Sequence, residues 1–480
     1  MTKPNVRKPN ILFFMCDQLR ADVVRPSHPC STPHIDGLCR DGMQFTRAYT
    51  PNAVCSPARA SLMTGLLPHN HGVTVVTHTV DDDQACLRTD KPHWAQKLTE
   101  QGYQTGYFGK WHIERSLDLE QFGWQESTVF EAPATKRLAE QRVDHGQYLL
   151  AHYNEHPEGY EKTLLYGVTA ADQSKRMFSI AVDEALGYLQ NRSQNPDPWC
   201  CFISLTEPHD PFVCSEESFR QYDVDSIELP NSVDDSMEGR PYVYKLAGAP
   251  WKNMTRRERK EAIACYWGSV TDIDAQLGRV LDFLETSGQR EDTIVILTTD
   301  HGEFLGSHGL YCKNFHAGEE AYNIPLILSG PGIGRNQVTS ARVGLHDVCP
   351  TLLELTDCDP FDHPDSSSFA AVLSEPDQEE QFQQGYAEYS GGRMLITQRV
   401  VWDHDWKFVF NGFDRSELYN LIADRDEMVN RIADPACEEI LRHMCKLLWT
   451  RISETGDHSL WNSHYAALRL VPYGPGILED

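Results

Sequence analysis

The sequence predicts an α/β fold: a large mixed, mostly parallel sheet flanked by helices on both faces, plus a smaller C-terminal antiparallel sheet subdomain with a helix. Three apolar runs, residues 10–16, 199–205 and 293–299, show no alternation of polar and apolar side chains. Such runs are typical of strands buried on both faces, as in a parallel sheet. Apolar side chains at helical spacing over residues 263–284 follow a capping-box pattern at residues 255–258. Strands that alternate with helices indicate the parallel architecture.

A change in composition divides the chain near residue 370. Residues 357–384 are acidic, and Pro, Ser and Gln replace apolar side chains there, which indicates a boundary or a long crossover. Beyond it, residues 399–402 and 406–410 alternate as antiparallel strands do, and residues 438–452 are predicted to form a packing helix. The predicted domains span residues 1–370 and 371–480.

The chain is strongly acidic, with a formal net charge of −27. This charge argues against nucleic acid as a partner, because affinity for nucleic acid comes mainly from Lys and Arg meeting phosphates. It also disfavours a long polyanionic polymer as a substrate, since the mean field would repel it. No run approaches the roughly 18 apolar residues of a membrane span, so no membrane is expected.

The N-terminal apolar run bears on the compartment. Residues 11–16 meet Asp17 at once and lack a small-residue cleavage site, so we interpret them as a strand rather than a signal peptide. Fourteen cysteines without a leader favour reduced thiols. We therefore expect a cytoplasmic protein.

Polar side chains follow each of the three buried strands. Asp17 and Gln18 follow the first, His209 the second, and Asp300 and His301 the third. The carboxyl ends of parallel strands meet at one edge of a sheet, where open α/β sheets place ligands. Each carboxylate could hold a metal or could cap a turn, and His209 could be catalytic or structural.

A short helix is predicted from Cys55. Pro57 suits a first helical turn, and Gly65 can end the helix in the left-handed conformation. Cys55 would then lie at a helix N-terminus, where free N–H groups favour an anion and a nucleophile. Arg59 lies one turn later on the same face and carries a planar donor fork suited to an oxyanion. The alternative is a buried cysteine on an ordinary helix.

Lys110 and His112 lie two residues apart after a predicted strand at residues 103–109. On an extended segment they would share one face. A cation beside an imidazole suits the binding of an oxyanion and the movement of a proton. Surface decoration is the alternative interpretation of the isolated pair.

Several of these segments together resemble the type I sulfatases. Cys-x-Pro-x-Arg at residues 55–59, with its continuation to Gly72, resembles the first signature of that family. Gly-Lys-Trp-His at residues 109–112 and Pro-His-x-Pro at residues 208–211 resemble the second and third. Residues 300–332, and Ser-Glu-Leu-Tyr-Asn-Leu at residues 416–421, resemble later parts of the family pattern.

The resemblance implies a mechanism. In that family the cysteine, here Cys55, is converted after translation to formylglycine, whose hydrate attacks sulfur, so a formylglycine-generating maturase is an implied partner. His209 and Lys313 are the implied proton donors to the leaving alcohol, and His112 is the implied base. Arg59 and Lys110 are implied to hold the hydrate and its charge. The implied ligands of one divalent metal ion are Asp17, Gln18, Cys55, Asp300 and His301.

Two positions depart from the commonest family pattern, which has a pair of aspartates at the first strand end and an asparagine after the later aspartate. Gln18 and His301 stand there instead. An amide oxygen can replace one ligand, whereas an imidazole suits manganese or zinc better than calcium. Calcium remains the first expectation by family habit.

The expected function is therefore hydrolysis of a small organic or carbohydrate sulfate monoester. The main rival is a formylglycine enzyme of the same superfamily that cleaves phosphonate monoesters or phosphodiesters. A third possibility is a sulfate-binding module in which Cys55 stays a thiol. The sequence leaves open the alcohol, a homo-oligomeric state and the role of Cys312.

Overall fold

The computed structural model of the protein describes residues 8–144, 146–313, 315–362, 364–391, 396–461 and 470–479. Fifteen strands lie in this described part of the chain. Their bounds are β1 Asn10–Asp17, β2 Gly42–Tyr49, β3 Gln104–Gly109, β4 Glu126–Val129, β5 Tyr148–Tyr153, β6 Leu164–Thr169, β7 Trp199–Pro208, β8 Phe212–Ser215, β9 Thr293–Thr299, β10 Asn323–Ser329, β11 Gln337–Gly344, β12 Gln384–Tyr389, β13 Gln398–Asp403, β14 Trp406–Asn411 and β15 Glu417–Asn420.

The α-helices of the described residues lie between these strands or, for the last two, after β15. Their bounds are α1 Pro33–Asp41, α2 Cys55–Thr64, α3 Pro68–His71, α4 Trp94–Glu100, α5 Pro133–Arg142, α6 Met177–Arg192, α7 Glu216–Phe219, α8 Tyr242–Ala247, α9 Arg256–Thr286, α10 Glu319–Tyr322, α11 Val348–Leu355, α12 Ala370–Ser374, α13 Glu438–Thr455 and α14 His458–Trp461. The predicted capping box is present, because the hydroxyl of Thr255 and the carboxylate of Glu258 cap each other's backbone N–H groups. Across the described ranges, no helix has both the length and the apolar character that a bilayer span requires.

The central sheet has eight strands in the order β11-β2-β10-β9-β1-β7-β3-β4. Strand β1 runs parallel to β7 on one side and to β9 on the other. Strand β10 is antiparallel to both of its neighbours, which makes the sheet mixed but mostly parallel, as predicted. The carboxyl ends of β1, β7 and β9 therefore meet at one edge.

Both faces of this sheet are covered. Leu12 and Phe14 of β1 pack into one apolar core, and Phe13 and Met15 pack into a second core on the opposite face. Every residue of β1 is buried. Successive side chains of a strand point to opposite faces, so a run that is apolar throughout needs a core on each side.

The segment between residues 113 and 167 differs from expectation. The weak periodicity of these residues predicts only loops, but β4, α5, β5 and the start of β6 lie there, and β5 and β6 join β8 in a separate three-stranded sheet. No side chain along β5 is buried, and four of the six are exposed. Without a buried face there is no apolar alternation, which explains why the sequence does not predict this strand.

The C-terminal part contains the predicted antiparallel sheet, in the order β12-β13-β14-β15. Helix α13 packs on it through a core that includes Val401, Phe408 and Leu448. Leu67, which follows α2, enters the same core and is fully buried. The two predicted domains therefore share apolar contacts, and their division at residue 370 stays a prediction.

A buried ion cluster fastens α3 to the C-terminal part. The Nδ1 atom of His69 lies 2.8 Å from a carboxylate oxygen of Glu388, and its Nε2 atom lies 3.1 Å from the carbonyl oxygen of Thr455. Both ring nitrogens thus face acceptors, which suits the doubly protonated imidazolium. Burial alone would lower the pKa of His69, but Glu388 and Asp457 raise it to about 9.

This cluster predicts a pH-dependent stability. The folded-state pKa of His69 is raised from 6.5 to about 9, so its contribution is complete below the unfolded pKa and is lost as pH rises through 9. Because a pKa difference of one corresponds to about 1.36 kcal/mol, the loss in free energy of unfolding amounts to about 3 kcal/mol. Urea unfolding at several pH values should show this decline in the wild type and a flatter profile in His69→Gln. His443→Gln, at an exposed histidine, is the control; equal profiles in wild type and His69→Gln would contradict the prediction.

Candidate active site

Three strand ends and one helix start converge. Asp17 ends β1, His209 directly follows β7, and Asp300 follows β9. Cys55 is the first residue of α2, and Gly65 ends that helix in the left-handed conformation with φ 72°. The sequence predicts each of these positions, and the parallel pairing of β1 with β7 and β9 brings them together.

Four side chains form a group able to hold a metal ion. Ligand atoms of Asp17, Cys55, Asp300 and His301 all lie within 4.8 Å of one another, and all four residues are buried. The Cys55 sulfur lies 3.2 Å from Nε2 of His301 and 3.7 Å from a carboxylate oxygen of Asp17. Nδ1 of His301 lies 3.0 Å from the carbonyl oxygen of Gly302, so an N–H at Nδ1 can donate to that oxygen. The lone pair of Nε2 is then available to a metal ion. Two carboxylates, an imidazole nitrogen and a sulfur are chemically suited to a divalent transition metal.

A second cluster of this kind, His69, Glu388 and Asp457, has comparable geometry. The guanidinium of Arg399 already neutralises it, at 2.6 Å from Asp457 and 3.7 Å from Glu388. It is therefore an ion-pair network that joins α3 to the C-terminal sheet.

Cationic side chains surround the Asp17 carboxylate. Arg59 lies 3.1 Å from Asp17 and 2.7 Å from Asp300, and Nζ of Lys110 lies 2.5 Å from Asp17. Arg59 also donates to the hydroxyl of Ser204 at 2.7 Å. Burial would raise the pKa of Asp17, but the cations, led by Lys110, hold it well below its usual range.

The same cations act on Cys55. Burial alone would raise the pKa of its thiol, yet Lys110, Lys313 and His301 outweigh burial and place the pKa well below its ordinary value. A buried site that stabilises an anion at residue 55 is also one that stabilises negative charge developing there. For Asp300, burial and the neighbouring Asp17 raise the pKa.

His209 and Lys313 form a close pair. Nζ of Lys313 lies 2.5 Å from Nε2 of His209, and Nδ1 of His209 lies 2.7 Å from the carbonyl oxygen of Asp210. Burial and Lys313 both act to lower the pKa of His209, but Asp17 and Asp210 raise it to about 9. The two residues that the resemblance implies as proton donors are thus in contact with each other.

Gln18 is placed differently from the expected metal ligand. Its amide nitrogen donates to Asp210 at 3.1 Å and to Glu303 at 2.5 Å, and its amide oxygen accepts from Lys313 at 3.2 Å. Only its backbone N–H reaches toward the metal group, donating to Asp300 at 3.2 Å. Two carboxylates therefore bind the amide nitrogen and Lys313 binds the amide oxygen, so in this arrangement that oxygen is not directed at the metal group.

The strand before Lys110 and His112 ends where predicted, but the chain does not stay extended beyond it. Strand β3 stops at Gly109, and His112 has a left-handed backbone with φ 57°. The extended geometry expected for this pair is therefore wrong. Lys110 contacts Asp17, whereas Nε2 of His112 lies 2.7 Å from Nδ1 of His78.

Three residues at the site were not singled out by the sequence analysis: Ser204, Glu303 and His78. Glu303 is fully buried, and burial together with Asp210 raises its pKa to about 7. Its position in Asp-His-Gly-Glu, three residues after Asp300, is a signal that could have indicated it. His78 lies in a weakly patterned stretch and carries no comparable signal.

Comparison with known proteins identifies the family. The family model described as Sulfatase matches residues 9–358, and a second, N-sulphoglucosamine sulphohydrolase C-terminal, matches residues 306–454. The uncharacterized sulfatase YidJ of Escherichia coli K12 is 28% identical over 89% of this chain and 84% of its own length.

Solved structures share the fold. The BT4656 protein, in complex with its substrate D-glucosamine-2-N,6-O-disulfate, matches with a TM-score of 0.74 and 21% identity over 94% of this chain and 98% of its own. A phosphonate monoester hydrolase from Silicibacter pomeroyi matches with a TM-score of 0.78 and 22% identity over 94% and 97%. The family model covers well over half of the chain, and it agrees with the signature positions gathered at the site. The chain therefore belongs to the sulfatase family of the alkaline phosphatase superfamily and is a sulfuric ester hydrolase.

Proposed function

We propose that the protein hydrolyses a small organic or carbohydrate sulfate monoester, with a formylglycine made from Cys55 as nucleophile and one divalent metal ion. The observation that carries this proposal is the position of Cys55, 3.7 Å from Asp17 and 3.2 Å from His301, among buried cations. The hydrate of the modified residue would have to lie at the position that the Cys55 thiol occupies, close to the carboxylates.

The metal, held by Asp17, Asp300, His301 and residue 55, would act as a Lewis acid toward oxygen and offset the carboxylate charge. Arg59 and Lys110 neutralise Asp17, and Lys110 together with Lys313 supplies positive charge for the dianionic transition state. The leaving oxygen receives a proton from the pair His209 and Lys313, whose nitrogens lie 2.5 Å apart. His112 acts as the base at residue 55.

A cavity beside His209 has room for the alcohol part of a small substrate. It has a volume of about 380 Å³ and is lined by Lys110 and His209 together with Tyr148, Arg176 and Asp210. That volume falls in the usual range for small-molecule sites. Carboxylates, a guanidinium and an aromatic ring are groups that bind hydroxylated rings, which fits a sugar sulfate as well as a simple alkyl or aryl ester.

The donor set predicts the metal preference. The imidazole nitrogen of His301 beside two carboxylates favours manganese or zinc over calcium, which prefers oxygen throughout. We expect the metal-free protein to bind Mn²⁺ about tenfold more tightly than Ca²⁺ in calorimetry. His301→Asn, which replaces the nitrogen ligand by an oxygen ligand, should bring the affinities for Mn²⁺ and Ca²⁺ closer together. Tighter binding of Ca²⁺ by the wild type would contradict this ranking and restore the family expectation.

The rival function is phosphonate monoester or phosphodiester hydrolysis. The imidazole of His301 in the metal group favours it as a departure from the common sulfatase pattern, whereas Gly-Lys-Trp-His at residues 109–112 favours sulfate. Paired kinetics on an aryl sulfate and an aryl phosphonate decide between them by the ratio of kcat/KM. Mass spectrometry of the peptide that spans residue 55, after co-expression with a maturase, tests the nucleophile. An unmodified cysteine in an active preparation would overturn the proposed mechanism.

A further inference from the structure

One ring nitrogen of His112 is bonded to a second histidine. Its Nε2 atom lies 2.7 Å from Nδ1 of His78, and the two ring planes lie within 25° of each other with centroids 4.9 Å apart. This is the geometry of a hydrogen bond between two imidazole edges. One of these two nitrogens must donate, and the other must accept.

The other nitrogen of His112 is not used by such a bond. Nδ1 is buried and has no hydrogen-bond partner among the described residues. The ring is also near enough to Cys55 to be one of the groups that lower the pKa of its thiol. A neutral imidazole has one N–H and one lone pair, so the bond made at Nε2 decides what Nδ1 offers to residue 55.

The position of His78 is coupled to that of Cys55. The backbone N–H of Thr77 donates to the hydroxyl of Ser56 at 3.3 Å, and the hydroxyls of Ser56 and Thr77 lie 3.5 Å apart. Ser56 follows Cys55 in α2, and Thr77 precedes His78 in a short 3₁₀ turn at Thr77–Thr79. The guanidinium of Arg115 also donates to the carbonyl oxygen of Thr77. The turn that carries His78 is therefore fixed to the helix that carries the nucleophile.

The backbone of His112 needs such support. Its φ of 57° lies in the left-handed region, which side chains with a Cβ adopt at a cost of about 1 kcal/mol or more. Residues in such conformations persist where their surroundings hold them. The bond to His78 is one of the contacts that hold this ring.

We propose that His78 is a positioning residue for His112: Nδ1 of His78 accepts the hydrogen bond from Nε2–H of His112 and keeps the lone pair of Nδ1 of His112 directed at residue 55. The arrangement has the logic of a carboxylate that orients a catalytic histidine, with an imidazole as the acceptor. This inference rests on the proposed function, because it assigns to His112 the role of base.

Kinetics on the matured holoenzyme test the proposal. His78→Leu removes the acceptor, and His78→Asn has nearly the same size but keeps one. We expect His78→Leu to lower kcat about 10- to 100-fold with little change in KM, as loss of an orienting partner typically does. His78→Asn should restore kcat to within about threefold of the wild type. His443→Leu, at an exposed histidine of the C-terminal part, is the matched control and should leave both constants unchanged.

A spectroscopic readout does not depend on turnover. In protein labelled with ¹⁵N-histidine, with His112→Gln used to assign the signals, His112 should be the Nε2-protonated tautomer in the wild type and in His78→Asn. A fixed tautomer should be lost in His78→Leu. An Nδ1-protonated His112 in the wild type would overturn the proposal, and so would wild-type kcat in His78→Leu. If the wild type turns over neither an aryl sulfate nor an aryl phosphonate, the proposed function fails, and the tautomer still reports on His78.

Discussion

The Cys55→Ala variant is expected to lose sulfate ester hydrolysis by on the order of 10⁴-fold or more in kcat, as removal of a nucleophile typically does. Cys55 is the only cysteine among the four grouped metal-ligating residues, and its sulfur lies 3.7 Å from Asp17. Alanine cannot be converted to an aldehyde and supplies no ligand. Steady-state kinetics with a chromogenic sulfate ester measure the loss.

The same variant should lose activity without losing the fold. Cys55 is buried at the start of α2, and alanine is a good helix former, so thermal unfolding should change little. Divalent cation binding should weaken but persist, because Asp17, Asp300 and His301 remain. Cys86→Ala, at an exposed cysteine outside the site, is the control for loss of a thiol. Retention of more than a few per cent of wild-type kcat by Cys55→Ala would exclude residue 55 as the nucleophile.

The convergence of the site was predictable because it depends on backbone topology. Asp17, His209 and Asp300 each follow an apolar run, and parallel pairing brings the ends of such runs to one edge. Pro57 and Gly65 likewise fix where α2 begins and ends, which places Cys55. Position along the chain therefore indicated where these residues meet, whereas their roles came from the resemblance to the family.

Side-chain direction was not predictable in the same way. Gln18 stands where a metal ligand is expected, but Asp210 and Glu303 attract its amide nitrogen, and Lys313 takes its oxygen. Which of these contacts forms depends on the spacing of groups that lie almost 200 residues or more away in the chain. His112 shows the same limit, since its left-handed backbone replaces the extended geometry that its spacing from Lys110 suggests.

Among the cations of the site, Arg59 is buried and pairs with two buried carboxylates. Its side chain is 1% exposed and makes ion pairs with Asp17 and Asp300, whose side chains are fully buried. It also donates to the Ser204 hydroxyl and, at 3.2 Å, to the carbonyl oxygen of Lys110. The sequence analysis assigns Arg59 to the nucleophile, but its bonds go to the carboxylates, so it acts first on the charge of the metal group.

We therefore expect Arg59→Met to destabilise the metal-free protein by about 3–5 kcal/mol, because two buried carboxylates lose their partner. Added Mn²⁺ should recover part of this loss, since a cation that binds the folded state alone stabilises it by mass action. Without the guanidinium, the site also repels the cation less strongly, because one neighbouring positive charge is gone. Urea unfolding with a chelator and with Mn²⁺ measures both effects. In Arg335→Met, whose guanidinium is 68% exposed and pairs with Asp41, the free energy of unfolding should change little under both conditions. If the Arg59→Met loss were as small, or equal with and without Mn²⁺, then Arg59 and the cation would not share the same two carboxylates.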